Sequence, residues 1–155
     1  MVAKRQLELL ELQVKDALDK GAKILIGGRR PKKLHGAYYE PTILTNISKD
    51  MRVWQEEVFG PVLPVVTFNT DDEAIRMAND TKYGLGSHVY TRDKKKAVGI
   101  ASEIEAGMVS VNTASYNKPC SPFGGYKDSG IGREHGKFGF AELTQVKVVA
   151  MGKTL

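Results

Sequence analysis

Residues 56–62 read Glu56-Glu57-Val58-Phe59-Gly60-Pro61-Val62: two adjacent carboxylates, an aromatic ring, a Gly-Pro break and the start of an apolar run. Gly60 and Pro61 end any preceding helix and turn the chain into a strand. An extended segment here places Glu57 and Phe59 on one side, at the mouth of a sheet. A carboxylate at that position accepts two hydrogen bonds from neighbouring hydroxyls, as on a ribose. A ring two residues away lies on a flat heterocycle. The same residues also read as a helix C-terminus with a core phenylalanine, and from chemistry alone both readings stand.

After this stretch comes a regular alternation. Val62 to Phe68 is a strand. Thr70-Asp71-Asp72-Glu73 is a capping box that opens a helix through about Asn79. His88 to Tyr90 is a second strand. Asp93 caps a second helix, with Ala97, Ala101 and Ile104 on one face and Gly107 closing it. Met108 to Val111 is a third strand, ending at Asn112, where open parallel sheets place ligand-binding residues. The spacing predicts an α/β fold with a parallel sheet and right-handed crossovers.

Before the stretch, residues 3–20 read as a helix with Leu7, Leu10, Val14 and Leu18 in one apolar stripe, and Gly21 as its left-handed terminator. Lys23 to Ile26 form a short apolar strand, 29–37 a loop, and Tyr38 to Leu44 an extended piece made irregular by Pro41. Asp50 to Gln55 hold a short helix in which Trp54 packs. At the other end, Gly124 to Gly139 read as a long glycine-rich loop with about one helical turn. Leu143 to Met151 alternate as a half-buried terminal strand, suited either to an edge of the same sheet or to another subunit's sheet.

Two motifs carry a resemblance. Glu57-Val58-Phe59-Gly60-Pro61 is similar to the E-x-F-G-P motif of the NAD(P)-dependent aldehyde dehydrogenases. Pro122-Phe123-Gly124-Gly125-Tyr126-Lys127-Asp128-Ser129-Gly130-Ile131-Gly132-Arg133-Glu134 resembles that family's P-F-G-G-x-K-x-S-G-x-G-R-E signature. The resemblance covers essentially the whole chain, but only the C-terminal part of the family, with semialdehyde dehydrogenases the most similar members. It implies residues 1–140 as the C-terminal part of the catalytic domain and 141–155 as an oligomerisation strand and tail. It also implies Glu57 and Phe59 at the nicotinamide ribose and ring of NAD or NADP, Phe123 at the aldehyde pocket, and Asn112 and Gly125 as supports of the site. The family's glycine-rich cofactor domain, general-base glutamate and nucleophilic cysteine lie upstream of residue 1. No catalytic residue is therefore expected in this chain, and weak or no cofactor binding by it alone.

Other candidates fail on spacing. Gly130-Ile131-Gly132 is followed by Arg133, Glu134 and His135, so the dinucleotide fingerprint breaks at its last position, and Gly136-Lys137 lacks the rest of a P-loop. The glycines instead permit positive φ in a tight loop that presents Phe123. Cys120, the only cysteine, lacks the family's G-Q-x-C context and reads as a bystander. His35, His88 and His135 are scattered, so no metal site is readable. Ser129 has no G-x-S-x-G elbow around it.

Composition is ordinary for a globular chain of 155 residues, with 41% hydrophobic and 26% charged residues. The charge of +5 is concentrated at Arg29, Arg30, Lys32, Lys33 and Lys94–Lys96. No aromatics interleave with these residues, so nucleic acid is not the expected partner. The lone cysteine fits a reducing compartment, and no apolar run approaches the roughly 20 residues of a membrane helix. These features point to the cytoplasm. The expected function is part of an NAD(P)-dependent aldehyde dehydrogenase, inactive as an isolated chain and joined into a homo-oligomer through 143–151. A non-catalytic interaction module and a small nucleotide-binding protein are the other readings. Within 113–120, Tyr116 and Lys118 would suit a polar or anionic aldehyde.

Overall fold

The structure, a computed structural model, describes residues 1–115 and 118–153. The fold is α/β, divided into two compact units, Met1–Phe68 and Asn69–Leu155.

In the first unit, helix α1 (Lys4–Asp19) precedes strands β1 (Lys23–Ile26) and β2 (Thr42–Thr45), helix α2 (Arg52–Gln55) and strand β3 (Val62–Pro64). The sheet order is β1-β2-β3, antiparallel between β1 and β2 and parallel between β2 and β3. The stripe of α1 buries Leu7, Leu10, Gln13, Val14 and Ala17. Leu18, expected within it, stands at its edge in the last turn and is partly exposed. Leu10, Val14 and Ala17 pack with Leu44, Met51, Val53 and Val62 in one core. Gly21 ends α1 at φ +98°, with its amide bonded to the Leu18 carbonyl and that of Ala22 to the Ala17 carbonyl. Both orphan carbonyls are satisfied in a Schellman arrangement. Tyr38 to Leu44 join the ladder only from Thr42, after Pro41, which has no N–H to offer.

The second unit contains α3 (Asp71–Asn79), β4 (Tyr83–Gly84), β5 (Gly86–Val89), α4 (Lys94–Glu103), β6 (Met108–Val111), β7 (Tyr126–Lys127) and α5 (Gly136–Glu142). The Thr70 hydroxyl accepts from the Glu73 amide, and the Glu73 carboxylate accepts from the Asn69 amide at 2.7 Å. The Asp93 carboxylate accepts from the amides of Lys95 and Lys96. These are the caps the sequence predicts. Strands β5 and β6 run parallel in full register and are joined through α4.

Two expectations are corrected. Strand β3 does not join β5 and β6 in one sheet; it pairs with β2, and its ladder stops at Pro64 instead of Phe68. Within the glycine-rich stretch the helix covers only Gly136–Gly139, about the one turn expected, and α5 continues beyond it to Glu142. The segment from Leu143 to Met151 forms no strand within this chain, and Val146, Val148 and Met151 are 100%, 85% and 92% exposed. An extended segment pairs its backbone N–H and C=O groups in a ladder only with another strand, and no described strand of this chain pairs with it.

Candidate functional site

The stretch that follows α2 alternates inward and outward. Glu56, at the C-cap of α2, has extended backbone at φ −116° and ψ 154°. Its carboxylate is held by Arg52 Nε at 2.8 Å and Nη2 at 3.0 Å, and by Gln13 Nε2 at 3.0 Å. The Arg52 guanidinium, with Gln13 assisting, lowers the Glu56 pKa below the ordinary glutamate value. Val58 packs on the core. Glu57 and Phe59 point the other way: the Glu57 side chain is exposed, and Phe59 is 64% exposed. The Glu57 carbonyl accepts from Gln13 Nε2 at 3.1 Å. Its carboxylate has no hydrogen-bond or ion-pair partner among the described residues. One acid is thus spent on fixing the backbone, while its neighbour is presented with free acceptor oxygens. Gly60 lies against Leu10 of α1, so a Cβ there would come within 2.7 Å of a Leu10 methyl carbon.

In the second unit, Phe123 and Glu134 close the glycine-rich motif into a ring. Phe123 donates from its amide to the Glu134 carbonyl at 2.8 Å, and Glu134 returns the bond at 2.7 Å. The Phe123 ring is half-buried beside His135, with ring centroids 5.8 Å apart. It borders a cavity of about 320 Å³ together with Leu85, Gly125, Ser129, Arg133 and Glu142. Arg133 Nη1 donates to the carbonyls of Gly125 and Gly132, and its guanidinium lies over the Tyr126 ring. Positive φ occurs at Gly130, Gly132 and Gly136, but not at Gly124 or Gly125. Those two are required for close approach: a Cβ on Gly125 would stand 2.5 Å from Ser129 Cβ. The Ser129 hydroxyl accepts from the Gly84 amide, a structural bond.

Asn112 follows β6 at φ +54°. Its Oδ1 accepts from the Thr91 amide at 2.9 Å and its Nδ2 donates to the Thr91 carbonyl at 2.7 Å. This side chain ties together the two loops that leave the C-terminal ends of β5 and β6. Of the 113–120 segment, Tyr116 lies outside the described residues, Lys118 is exposed, and Cys120 is an exposed free thiol.

The aldehyde dehydrogenase family profile matches residues 1–149. The chain belongs to the aldehyde dehydrogenase family. It is 40% identical to 3-sulfolactaldehyde dehydrogenase of Pseudomonas putida, over 98% of this chain and 31% of that protein. It is 41% identical to mitochondrial succinate-semialdehyde dehydrogenase of Oryza sativa subsp. japonica, over 98% and 29%. Its structure matches that of a Mycobacterium tuberculosis aldehyde dehydrogenase complexed with NAD+ at a TM-score of 0.92 and 38% identity, over 100% of this chain and 32% of that one. The chain thus spans about a third of the length of these relatives.

Several residues that build this aldehyde dehydrogenase segment escape sequence reading. Gln13 had a signal, a polar residue within the apolar stripe of α1, and it is only 1% exposed. Arg52 and Glu56 are spaced i, i+4, the spacing of a helical ion pair. Arg133 lies within the recognised motif, but its carbonyl acceptors, Gly125 and Gly132, depend on how the ring closes. No helix of the described residues is long and apolar enough to cross a membrane.

Proposed function

We propose that this chain is the part of an NAD(P)-dependent aldehyde dehydrogenase that supports the nicotinamide end of the cofactor and borders the aldehyde pocket. The observation that carries this reading is the outward pair Glu57 and Phe59, one with an unengaged carboxylate and the other with an exposed ring. Both fit the group: carboxylate oxygens accept from ribose hydroxyls, and an aromatic face lies against a flat heterocycle. When bound in the complete enzyme, NAD or NADP takes up the hydride from the aldehyde carbon. Glu57 orients the ribose, Phe59 supports the ring, and Phe123 shapes the passage to the aldehyde. Asn112 and Gly125 hold the loops around them.

The chain contributes no catalytic nucleophile or general base in this reading. Loss of a covalent nucleophile costs orders of magnitude in rate, so the 155-residue polypeptide alone is inactive and binds cofactor weakly or not at all. The named activities of the rice and Pseudomonas relatives, together with the exposed Lys118, favour an anionic semialdehyde as substrate. The exposed Val146, Val148 and Met151 favour a homo-oligomer formed through 143–151. The lone unpaired cysteine favours a cytoplasmic location.

Titration with NADH, followed by the emission of the single tryptophan, Trp54, tests the cofactor part of this reading. The expected result is no saturable quenching at micromolar NADH. Saturable quenching in that range would favour the rival reading, a self-sufficient nucleotide-binding protein.

A further inference from the structure

Ser110 is 5% exposed in β6 and lies directly opposite His88 of the parallel neighbour β5. Its Oγ is 2.5 Å from His88 Nδ1 and donates to the Thr113 carbonyl at 2.6 Å. A hydroxyl has one hydrogen, and a carbonyl oxygen only accepts. If the Ser110 hydrogen is used on Thr113, the hydrogen between Ser110 and His88 belongs to the imidazole. Beyond Thr113 the chain turns again, where the Thr113 hydroxyl accepts from the Ser115 amide at 3.1 Å. On the other side, Asn112 grips Thr91 through two hydrogen bonds. The chain leaving β6 is therefore held at consecutive residues: at 112 by the Asn112 side chain on the Thr91 backbone, and at 113 by Ser110 of β6.

We propose that His88 and Ser110 are positioning residues that act in series to set the backbone at Thr113–Ser115, with His88 in the Nδ1–H tautomer. This rests on the reading above only for its consequence: the segment leaving Thr113 is the local candidate for aldehyde selection, so the pair would act on selectivity through Thr113 without touching substrate. A histidine with hydrogen on Nε2 could not donate to Ser110, and the link from His88 to Thr113 would have no continuous sense.

Long-range proton–nitrogen spectra of the 155-residue chain read the tautomer directly, and amide exchange at Ser115 reads the backbone. Neither depends on aldehyde oxidation, so failure here is distinct from failure of the proposed function. The expected result is an Nδ1–H tautomer at His88. Ser110→Ala should abolish that preference and speed Ser115 exchange several-fold, up to about tenfold, the scale of one net hydrogen bond. Ser110→Thr, which keeps the hydroxyl, should restore both. His88→Asn, which keeps an N–H near the position of Nδ1, should retain slow Ser115 exchange. His88→Ala, at an exposed position, tests the same link should Ser110→Ala fail to fold. An Nε2–H tautomer in the unmodified chain, or unchanged Ser115 exchange in folded Ser110→Ala or His88→Ala, would overturn the proposal.

Discussion

The amide nitrogen of Gln13 donates to both the Glu56 carboxylate, at 3.0 Å, and the Glu57 carbonyl, at 3.1 Å. One buried side chain on α1 thereby sets both the pinned acid and the backbone of the presented one. Gln13→Leu keeps the volume and removes both donors. It should cost about 1–3 kcal/mol in urea unfolding, the scale for leaving buried or partly buried acceptors without a partner. An unchanged midpoint would show that water replaces the amide at no cost.

The second prediction concerns acid. The Glu56 pKa is lowered by its hydrogen bonds from Arg52 and then Gln13, from an ordinary value of 4.5. A carboxylate whose folded value lies below its unfolded value stabilises the fold fully above the unfolded value. That contribution is lost as pH falls through the folded one. The part of the stability that Glu56 contributes should therefore be level above about pH 5 and decline as pH falls below 4.5. Glu56→Gln should flatten part of that decline. The comparison is made by denaturant titration at pH 7 and pH 3.5; equal losses in both proteins would contradict it.

Glycines in the second unit should respond in opposite directions. A Cβ at Gly107 would stand 1.9 Å from the Gly124 carbonyl oxygen, a backbone atom held by the ring from Phe123 to Glu134. Gly107→Ala should therefore lose about 1–3 kcal/mol or more. Gly99 lies within α4, where an added Cβ meets nothing within 4 Å. Gly99→Ala should gain about 0.5–1 kcal/mol by restricting the unfolded chain and favouring helix. Thermal unfolding of the two variants measures both signs.

Legibility followed the range of the interaction. Thr70, Asp93 and Gly21 act within a few residues, through caps and a Schellman turn, and each reads directly from the sequence. The partner of β3 is a pairing across distant sequence, and periodicity cannot choose β2 over β5. Helix α5 begins with Gly136 and contains Gly139, two weak helix formers. Tertiary contacts favour glycine there: the Gly136 amide bonds to the Pro119 carbonyl, and a Cβ on Gly139 would press on Glu134. Glu57 and Phe59 were legible as an outward pair because strand-like alternation is local. The Gln13 clamp beneath them was not, because it links α1 to a residue 43 positions away.

The exposed tail yields a further expectation. Val146, Val148, Val149 and Met151 present apolar surface that an edge pairing would cover. Sedimentation should find the chain self-associated at high micromolar concentration. A variant ending at Glu142 should be monomeric. A monomeric parent chain across that range would remove the proposed association through 143–151.

In the proposed function this segment supplies cofactor and pocket support without the reactive groups. The most direct measurement is the absorbance of reduced cofactor after mixing the chain with NAD or NADP and a panel of aldehydes, semialdehydes included. A Cys120→Ser variant serves as the control. The expected result is the same background from the chain and the control. Cofactor reduction by the chain that Cys120→Ser abolishes would contradict it.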